Sequence, residues 1–427
     1  MGGESMNVRL SGLWRDKEFG KLWVGQTVSE FGSRITREGL PLTAVLTLGV
    51  SPVEMGVLSA VATAPLLIVG LLAGAWVDRL PRRPILIASD VGRALVLASI
   101  PLAAVLGILG MPQVYVVAAL AGVLTVFFDV AYRSFLPSLV TRDELMEGNS
   151  KLAASSSVAE VGGPPLAGVL IQLLTAPIAI LFDALSFVVS AVSIWMIRVT
   201  EPPHAPEEQP NLVREVREGI TVIIHDPILR ALTGSGATRA FFGAFFGTLY
   251  SLFAIRDLGI QPGPLGFLIG LGGVGSLFGA VLVGPTVKRL GLGPTLVWTL
   301  FVGGVIGLCV PLAGWLPGYA VPLLAAAQLF GDGLLTIYLI VGISLRQTIV
   351  PHGLLGRATA SVNVVLGGMT LVGSLLAGVL AERIGMRAAL LLAMSGSILS
   401  VLWLLFSPVR SLRDHSVPVE ESATSVG

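Results

Sequence analysis

Charged residues are scarce in this sequence, and their scarcity excludes most classes of soluble protein. Asp, Glu, Lys and Arg together make up 12% of the 427 residues, whereas apolar residues make up 54% and the mean hydropathy is +0.85. An ordinary soluble chain carries about 25% charged residues. Apolar runs of roughly 20 residues, the length that crosses a bilayer as a helix, recur along most of the chain. The composition therefore indicates a helical membrane protein.

Reactive and metal-binding residues are also few. The single cysteine, Cys309, excludes a disulfide within the chain and lies in an apolar run, as a packing residue does. The four histidines fall in polar loops or in the tail, and we find no metal-ligand spacing, nucleophile elbow or phosphate-binding loop. We therefore expect neither an enzyme nor a metal cofactor. The net charge of +1 and the lack of a basic tract exclude nucleic acid as a partner.

The apolar runs predict twelve membrane-spanning helices in two sets of six. The first set covers residues 20–48, 54–77, 84–108, 113–138, 150–173 and 177–198. The second set covers residues 229–254, 264–287, 293–314, 319–345, 357–381 and 387–408. The sequence thus predicts an amino-terminal segment at 1–19 and helical bundles at 20–198 and 229–408. A polar linker at 199–228 joins the bundles, and a disordered tail follows at 409–427. No removable signal peptide is expected in the first segment.

Basic residues concentrate on one side of this map. The amino terminus, alternate loops and the tail hold nearly all the Lys and Arg outside the spans, while the opposite loops hold only Arg256, Arg383 and Arg387. Loops rich in Lys and Arg remain in the cytoplasm. We therefore expect a multi-pass protein of the inner cell membrane with both termini cytoplasmic.

The two sets of spans are related in sequence. An offset of 210 residues aligns the stretch from Leu72 to Pro84 with that from Leu282 to Pro294, and also aligns 166–170 with 376–380. Because each set has an even number of spans, the second set enters the membrane in the same orientation as the first. Parallel repeats of this kind are used by carriers that alternate access to a central site.

The loop after the second span resembles the signature loop of the major facilitator superfamily. It runs from Gly74 to Arg83, although Pro81 stands where the family usually has glycine, and the second copy has Lys288 in place of Asp78. Stretches 127–137, 182–187 and 350–357 are similar to the branch that contains the enterobactin exporter and macrolide efflux proteins. The resemblance implies the major facilitator fold, an all-α membrane protein with two parallel, pseudo-symmetric six-helix bundles. It also implies a solute exporter driven by protons, with no other cofactor.

Two further elements take their expected roles from this resemblance. Gly163 and Pro164, closing on Gly168, are similar to the antiporter motif of drug:proton exchangers, with alanine at 159 and 167 in place of glycine. The cytoplasmic gate is expected in and after the signature loop. Its predicted residues are Gly74, Asp78, Arg79, Arg82, Arg83, Asp90 and Arg93. The last two are interpreted as a latch with Asp78 rather than as substrate contacts.

Twelve Asp, Glu and Arg residues fall inside the predicted spans, more than one residue from either end. Exposure of all of them to lipid would cost on the order of 36 kcal/mol, at roughly 3 kcal/mol each, so they need partners or water. In the major facilitator fold, spans 1, 4, 7 and 10 line the central cavity. The resemblance therefore assigns a substrate and proton cavity to Glu30, Arg34, Glu38, Asp129, Arg133, Arg239 and Asp332. The alternative is that these residues form structural ion pairs that hold the helices in register.

A proton carrier must be alternately charged and neutral, and the positions of the histidines leave this role to carboxylates. Asp129 and Asp332 are the leading candidates. Glu160 is an additional candidate, with hydrogen bonds to its neighbouring serines as the alternative, and Asp183 is expected to be a helix-packing acceptor. We predict a monomeric secondary active exporter of drug-, macrolide- or siderophore-like amphiphiles, whose partners are its substrate, protons and the bilayer. A facilitator or uptake carrier is the alternative on the same fold, ahead of a receptor or a membrane enzyme.

Overall fold

The computed structural model describes residues 12–70, 76–77, 80–198 and 212–413 of the chain. Across these ranges the structure is helical and contains no β-strand. The helices of the first half are α1 Lys17–Leu46, α2 Pro52–Ile68, α3 Arg82–Val105, α4 Met111–Leu139, α5 Leu145–Leu174 and α6 Ala176–Trp195. The helices of the second half are α7 Leu212–His225, α8 Pro227–Arg256, α9 Pro262–Leu290, α10 Leu292–Gly307, α11 Cys309–Ala313, α12 Ala320–Ala326, α13 Asp332–Ile349, α14 Leu355–Ile384, α15 Met386–Ile398 and α16 Ser400–Leu405.

These helices confirm the predicted fold class of an all-α membrane protein. In the described part of the chain, ten helices are long and apolar enough to cross a membrane, counting α10 with α11, α12 with α13 and α15 with α16 as single spans. The shorter apolar helix α2 and the charged helix α1 bring the number to twelve. Helix α1 falls short on composition because it contains Glu30, Arg34, Arg37 and Glu38.

Several predicted spans are interrupted by irregular turns, among them the ninth, the tenth and the twelfth. The ninth is divided into α10 and α11, since Pro311 has no N–H to donate to the carbonyl of Gly307 one turn earlier. In the tenth, residues Ala327–Gly331 form a turn of π-helix directly before Asp332. Such turns insert one extra residue into a helix and occur frequently at functional sites.

The offset found in the sequence reappears in the backbone. Shifted by 210 residues, the bounds of α1, α5 and α6 coincide with those of α8, α14 and the α15–α16 span. The helix caps repeat as well: the Asp16 carboxylate accepts hydrogen bonds from the backbone N–H groups two and three residues later, at 2.7 and 3.1 Å, and Asp226 does the same at 2.8 and 2.8 Å. The turn glycines Gly49 and Gly259 have φ angles of 65° and 66°. Both halves therefore have the same local architecture.

The chain divides into two compact units. The first comprises Met1–Pro210 together with Thr248–Gly270, and the second comprises Asn211–Gly247 and Leu271–Gly427. In the first unit, a core that includes Phe19, Leu22 and Phe135 is buried between α1, α4 and α6. In the second, Leu296 and Val341 belong to the corresponding core.

Helix α7, which follows the proline-rich linker, is fastened to the start of α14 within the second unit. The Arg357 guanidinium donates to the Glu218 carboxylate at 2.6 Å, and the Ser361 hydroxyl donates to the backbone carbonyl of Val216 at 3.0 Å. Gly219 lies at the contact, where a Cβ atom would meet the backbone of Arg357. The absence of a side chain at 219 thus allows the two helices to approach closely.

Candidate functional site

Arg34 on α1 and Glu160 on α5 form an ion pair within the first unit. The guanidinium Nη2 lies 2.5 Å from the Glu160 Oε2 atom, and the two side chains are 15% and 47% exposed. The sequence analysis placed Arg34 in the cavity and left Glu160 open between a proton site and bonds to its neighbouring serines. The structure joins these two residues across helices, a contact that spacing along one helix does not reveal.

Three further carboxylates surround this pair. Glu30 lies within electrostatic range of Arg34, Asp129 and Glu160. Glu38 lies within range of Arg34 and Glu160. We name Glu30, Arg34, Glu38, Asp129 and Glu160 the charged cluster. It contains four acids and Arg34, with Arg37 also acting on Glu38 and with Arg93 and Arg133 near Asp129.

The charged cluster lies on a face that must be in contact with water. Asp129, Arg133 and Glu160 are exposed on the surface of the bundle. Asp129 and Arg133 share one face of α4, as predicted, but form no ion pair with each other in the described structure. Because an unpaired charge in the lipid core costs several kcal/mol, we expect this face to line an aqueous space rather than lipid.

The Gly163–Pro164 element lies beside the ion pair. A Cβ atom on Gly163 would stand 2.7 Å from the Cγ atom of Arg34, so glycine is what allows α1 to approach α5 at this point. Further along α5, Gly168 packs on Gly266 of α9, with no side chain between the two backbones. The element predicted from its resemblance to the antiporter motif is therefore a packing groove, and its part in transport stays a prediction.

Asp90 and Arg93 form a second ion pair of the first unit. Their Oδ1 and Nη2 atoms are 2.5 Å apart, and the two residues are 0% and 5% exposed. The guanidinium lies over the rings of Phe128 and Phe187, with its Cζ atom 4.3 and 4.0 Å from their centroids. The buried Asp183, within electrostatic range of Arg93, accepts a 3.0 Å hydrogen bond from Ser186. Asp90 and Arg93 are thus packed inside the bundle.

The predicted gate is described only in part. Gly74, Asp78 and Arg79 lie outside the described residues, so a latch between Asp78 and the Asp90–Arg93 pair stays a prediction. Arg82 is at the start of α3 and has contacts of its own. The Arg83 guanidinium donates to the backbone carbonyls of Ile194, at 3.2 Å, and Trp195, which ties the start of α3 to the end of α6.

The remaining predicted cavity residues, Arg239 and Asp332, line a cavity of about 190 Å³ within the second unit. Among the described residues, no hydrogen-bond acceptor reaches the buried Nε atom of Arg239. Asp332 has a partner. The sequence placed both residues at a cavity but did not identify the glycine and serine residues of this wall, which have no signature of their own. Comparison of the two halves at the offset of 210 residues is the signal that identifies these wall residues.

In the described part of the chain, helices long and apolar enough to cross a membrane, with ionisable residues and a cavity among them, are typical of a multi-pass membrane transporter. The chain belongs to the Major Facilitator Superfamily, whose family model matches residues 22–368. This result confirms the resemblance found in the sequence.

Two bacterial relatives and one solved structure illustrate the similarity. The chain is 26% identical to the uncharacterized MFS-type transporter YfiS of Bacillus subtilis over 87% of this chain and 88% of that protein. It is 27% identical to the multidrug efflux pump Tap of Mycolicibacterium fortuitum over 86% of this chain and 90% of the pump. A bacterial homologue of the iron transporter ferroportin, in an inward-facing state, has the same fold with a TM-score of 0.74 at 19% identity, covering 92% of this chain and 98% of that one.

Proposed function

We propose that this transporter exports amphiphilic organic compounds in exchange for protons, by alternating access in the inner membrane with both termini cytoplasmic. The observation that carries the proposal is the ion pair between Arg34 and Glu160, with Glu30 and Asp129 within electrostatic range. An exchanger needs groups that take up and release a proton in step with substrate, and the four acids of the charged cluster are candidates for that role.

The repeat argues that this ion pair is not needed for the fold. At the offset of 210 residues, α8 and α14 have Ala244 and Thr370 in place of Arg34 and Glu160. The same helices nevertheless form, and Gly373 packs on Ala244 as Gly163 packs on Arg34. Since the second half builds the same crossing without charge, the charges of the first half serve transport rather than helix packing.

The proposed proton step is an exchange of partners. In one state Arg34 pairs with Glu160, as in this structure. When Arg34 turns toward Glu30 or Asp129, Glu160 loses its ion-pair partner and binds a proton instead. Asp129, exposed on the same face, and Asp332 in the second unit are the other carboxylates that we propose to carry protons.

Export of amphiphiles is supported by the similarity to an efflux pump over most of both chains. Outward transport of this kind requires that the substrate enter from the cytoplasm and that protons return in the opposite direction. A facilitator on the same fold would move substrate without moving protons, so proton movement is the property that separates the two functions.

Inverted membrane vesicles test the proposal. Respiration acidifies their interior, and tetracycline or erythromycin is then added outside as a probe of the amphiphilic class. We expect at least one probe to raise the internal pH in vesicles that contain the transporter and not in vesicles that lack it. Entry of a probe up to the external concentration, without any change of internal pH, would establish a facilitator instead.

A further inference from the structure

One internal space is filled by side chains in the first repeat and is a cavity in the second. In the first, the Arg93 guanidinium fills the space between the Phe128 and Phe187 rings and is neutralised by Asp90. In the second, the offset of 210 residues places Gly303 at the position of Arg93, Ser397 at that of Phe187 and Leu300 at that of Asp90. All three second-half residues line the cavity of about 190 Å³. The cavity thus corresponds to the volume that an arginine and a phenylalanine occupy in the first repeat.

A cation from another helix lines this cavity. Arg239 of α8 stands where the first repeat has Ser29, a small buried residue. Its Nε atom is buried and has no acceptor in the described part of the chain, and no carboxylate there forms an ion pair with Arg239, whereas Arg34 and Arg93 each form one. An arginine without an ion-pair partner inside a membrane span is costly, so the protein retains Arg239 at the expense of stability. Such a residue is expected where a ligand supplies the missing charge.

The rest of the cavity wall suits an amphiphile. Phe246, Leu300, Leu335 and Met394 provide apolar surface, and Tyr338, held by a 3.1 Å hydrogen bond with Ser235, provides a ring. The π-helical turn Ala327–Gly331 forms part of the wall, which also places the irregular turn of this half at the cavity. Asp332 also lines the cavity but has a partner already, so Arg239 is the charge left for a ligand.

We propose that this cavity binds an amphiphilic organic carboxylate. The carboxylate oxygens accept hydrogen bonds from Arg239, and the apolar part packs on Phe246, Leu300 and Leu335. A guanidinium suits this task because its planar set of N–H donors matches the two oxygens of a carboxylate. An engineered apolar cavity of about 150 Å³ binds benzene, so a cavity of this volume has room for an aromatic acid. The inference rests on the proposed function in one respect, since it names the charge class of the exported compound.

The test is equilibrium binding to the purified full-length transporter, without any pH gradient, by isothermal titration calorimetry. The probes are 1-naphthoate and 1-naphthamide, which have nearly the same shape and differ in the carboxylate. We expect naphthoate to bind at least about tenfold more tightly than the amide, because a charge-assisted pair forms only with the acid. The Arg239→Gln variant should lose this preference and bind both probes alike. Arg230→Gln, which removes a base from the same helix, should retain it.

A second variant tests the cavity independently of the charge. Ser397→Phe introduces the side chain that the first repeat has at Phe187, and it should weaken binding of both probes at least about tenfold by filling the space. Equal affinity for acid and amide in the unmodified protein would overturn the proposal. So would a preference that survives Arg239→Gln, or acid binding that Ser397→Phe leaves unchanged.

The outcome is distinguishable from failure of the proposed function. A transporter that exchanges protons for a probe but shows no preference for the acid would refute the carboxylate site alone. One that prefers the acid but moves no protons would retain the site and refute the exchange.

Discussion

Glu160 and Arg34 contact each other across α5 and α1, and the residues at the same positions of the second repeat, Thr370 and Ala244, carry no charge. Two copies of one helix crossing thus differ in the presence of this ion pair. This difference separates the requirements of the fold from those of transport. It also supplies, within one chain, control positions for experiments on the charged residues.

Removal of the Glu160 charge should abolish coupling without preventing folding. In Glu160→Gln, Arg34 keeps a hydrogen-bond acceptor, but the side chain no longer titrates. We expect proton movement driven by substrate to fall by at least about tenfold, the usual scale for loss of a proton-transferring group. Vesicle pH measurements check this, and Thr370→Val, the matched change at the uncharged position of the repeat, should transport normally.

The other proposed proton carriers are tested in the same vesicles. Asp129→Asn and Asp332→Asn should each reduce coupled transport while the protein inserts into the membrane in normal amounts. Full coupling in both variants would remove these two residues from the proton path and leave Glu160 as the carrier.

The close approach of α1 to α5 at Gly163 predicts that an added side chain there lowers stability. Gly163→Ala would place a methyl group 2.7 Å from the Cγ atom of Arg34, close to the helix backbone, where neighbours cannot simply rotate away. We expect a loss of about 1–3 kcal/mol in the free energy of unfolding, the usual range for an overpacked contact. Gly247 of α8 has no atom within 4 Å of a Cβ, and Gly247→Ala should leave stability unchanged or raise it slightly. Unfolding in mixed micelles compares the two variants, and an equal effect of both would contradict the assigned contact.

The buried Asp90–Arg93 pair predicts a non-additive result. Removing one charge from a buried pair leaves the other uncompensated, at a cost of about 3–5 kcal/mol, whereas replacing both with apolar residues is often tolerated. Asp90→Leu, with the residue that the second repeat has at this position, should therefore be less stable than the double variant Asp90→Leu, Arg93→Met. Unfolding free energies of the two single variants and the double variant give the coupling between the residues. Simple additivity would show that the pair contributes little.

Much of the fold was predictable from the sequence because it follows from the apolar runs. The predicted first and seventh spans, 20–48 and 229–254, correspond to Lys17–Leu46 and Pro227–Arg256. Their ends differ by a few residues because the caps Asp16 and Asp226 start the helices outside the apolar segments. Local irregularities within the helices could not be predicted from the sequence. The π-helical turn before Asp332 has no composition of its own, and it arises from the way the surrounding helices pack.

The candidate site was predictable as a set of residues but not as a set of contacts. Charged residues inside apolar runs stand out, and hence Arg34, Asp129 and Arg239 were identified from the sequence. The pairing of Arg34 with Glu160 joins α1 to α5, and spacing along one helix says nothing about such a contact. Arg239 was predicted at a cavity, but most of the other residues that line this one could not be identified, because glycine and serine have no distinctive pattern.

The central claim is that this transporter exchanges protons for substrate through the Arg34–Glu160 pair. The most direct measurement is the accumulation of a transported probe in proteoliposomes as a function of an imposed pH difference, for the unmodified protein and Glu160→Gln side by side. The account predicts accumulation that rises with the pH difference in the unmodified protein and only gradient-independent equilibration in the variant. Equal, gradient-driven accumulation in both proteins would contradict it.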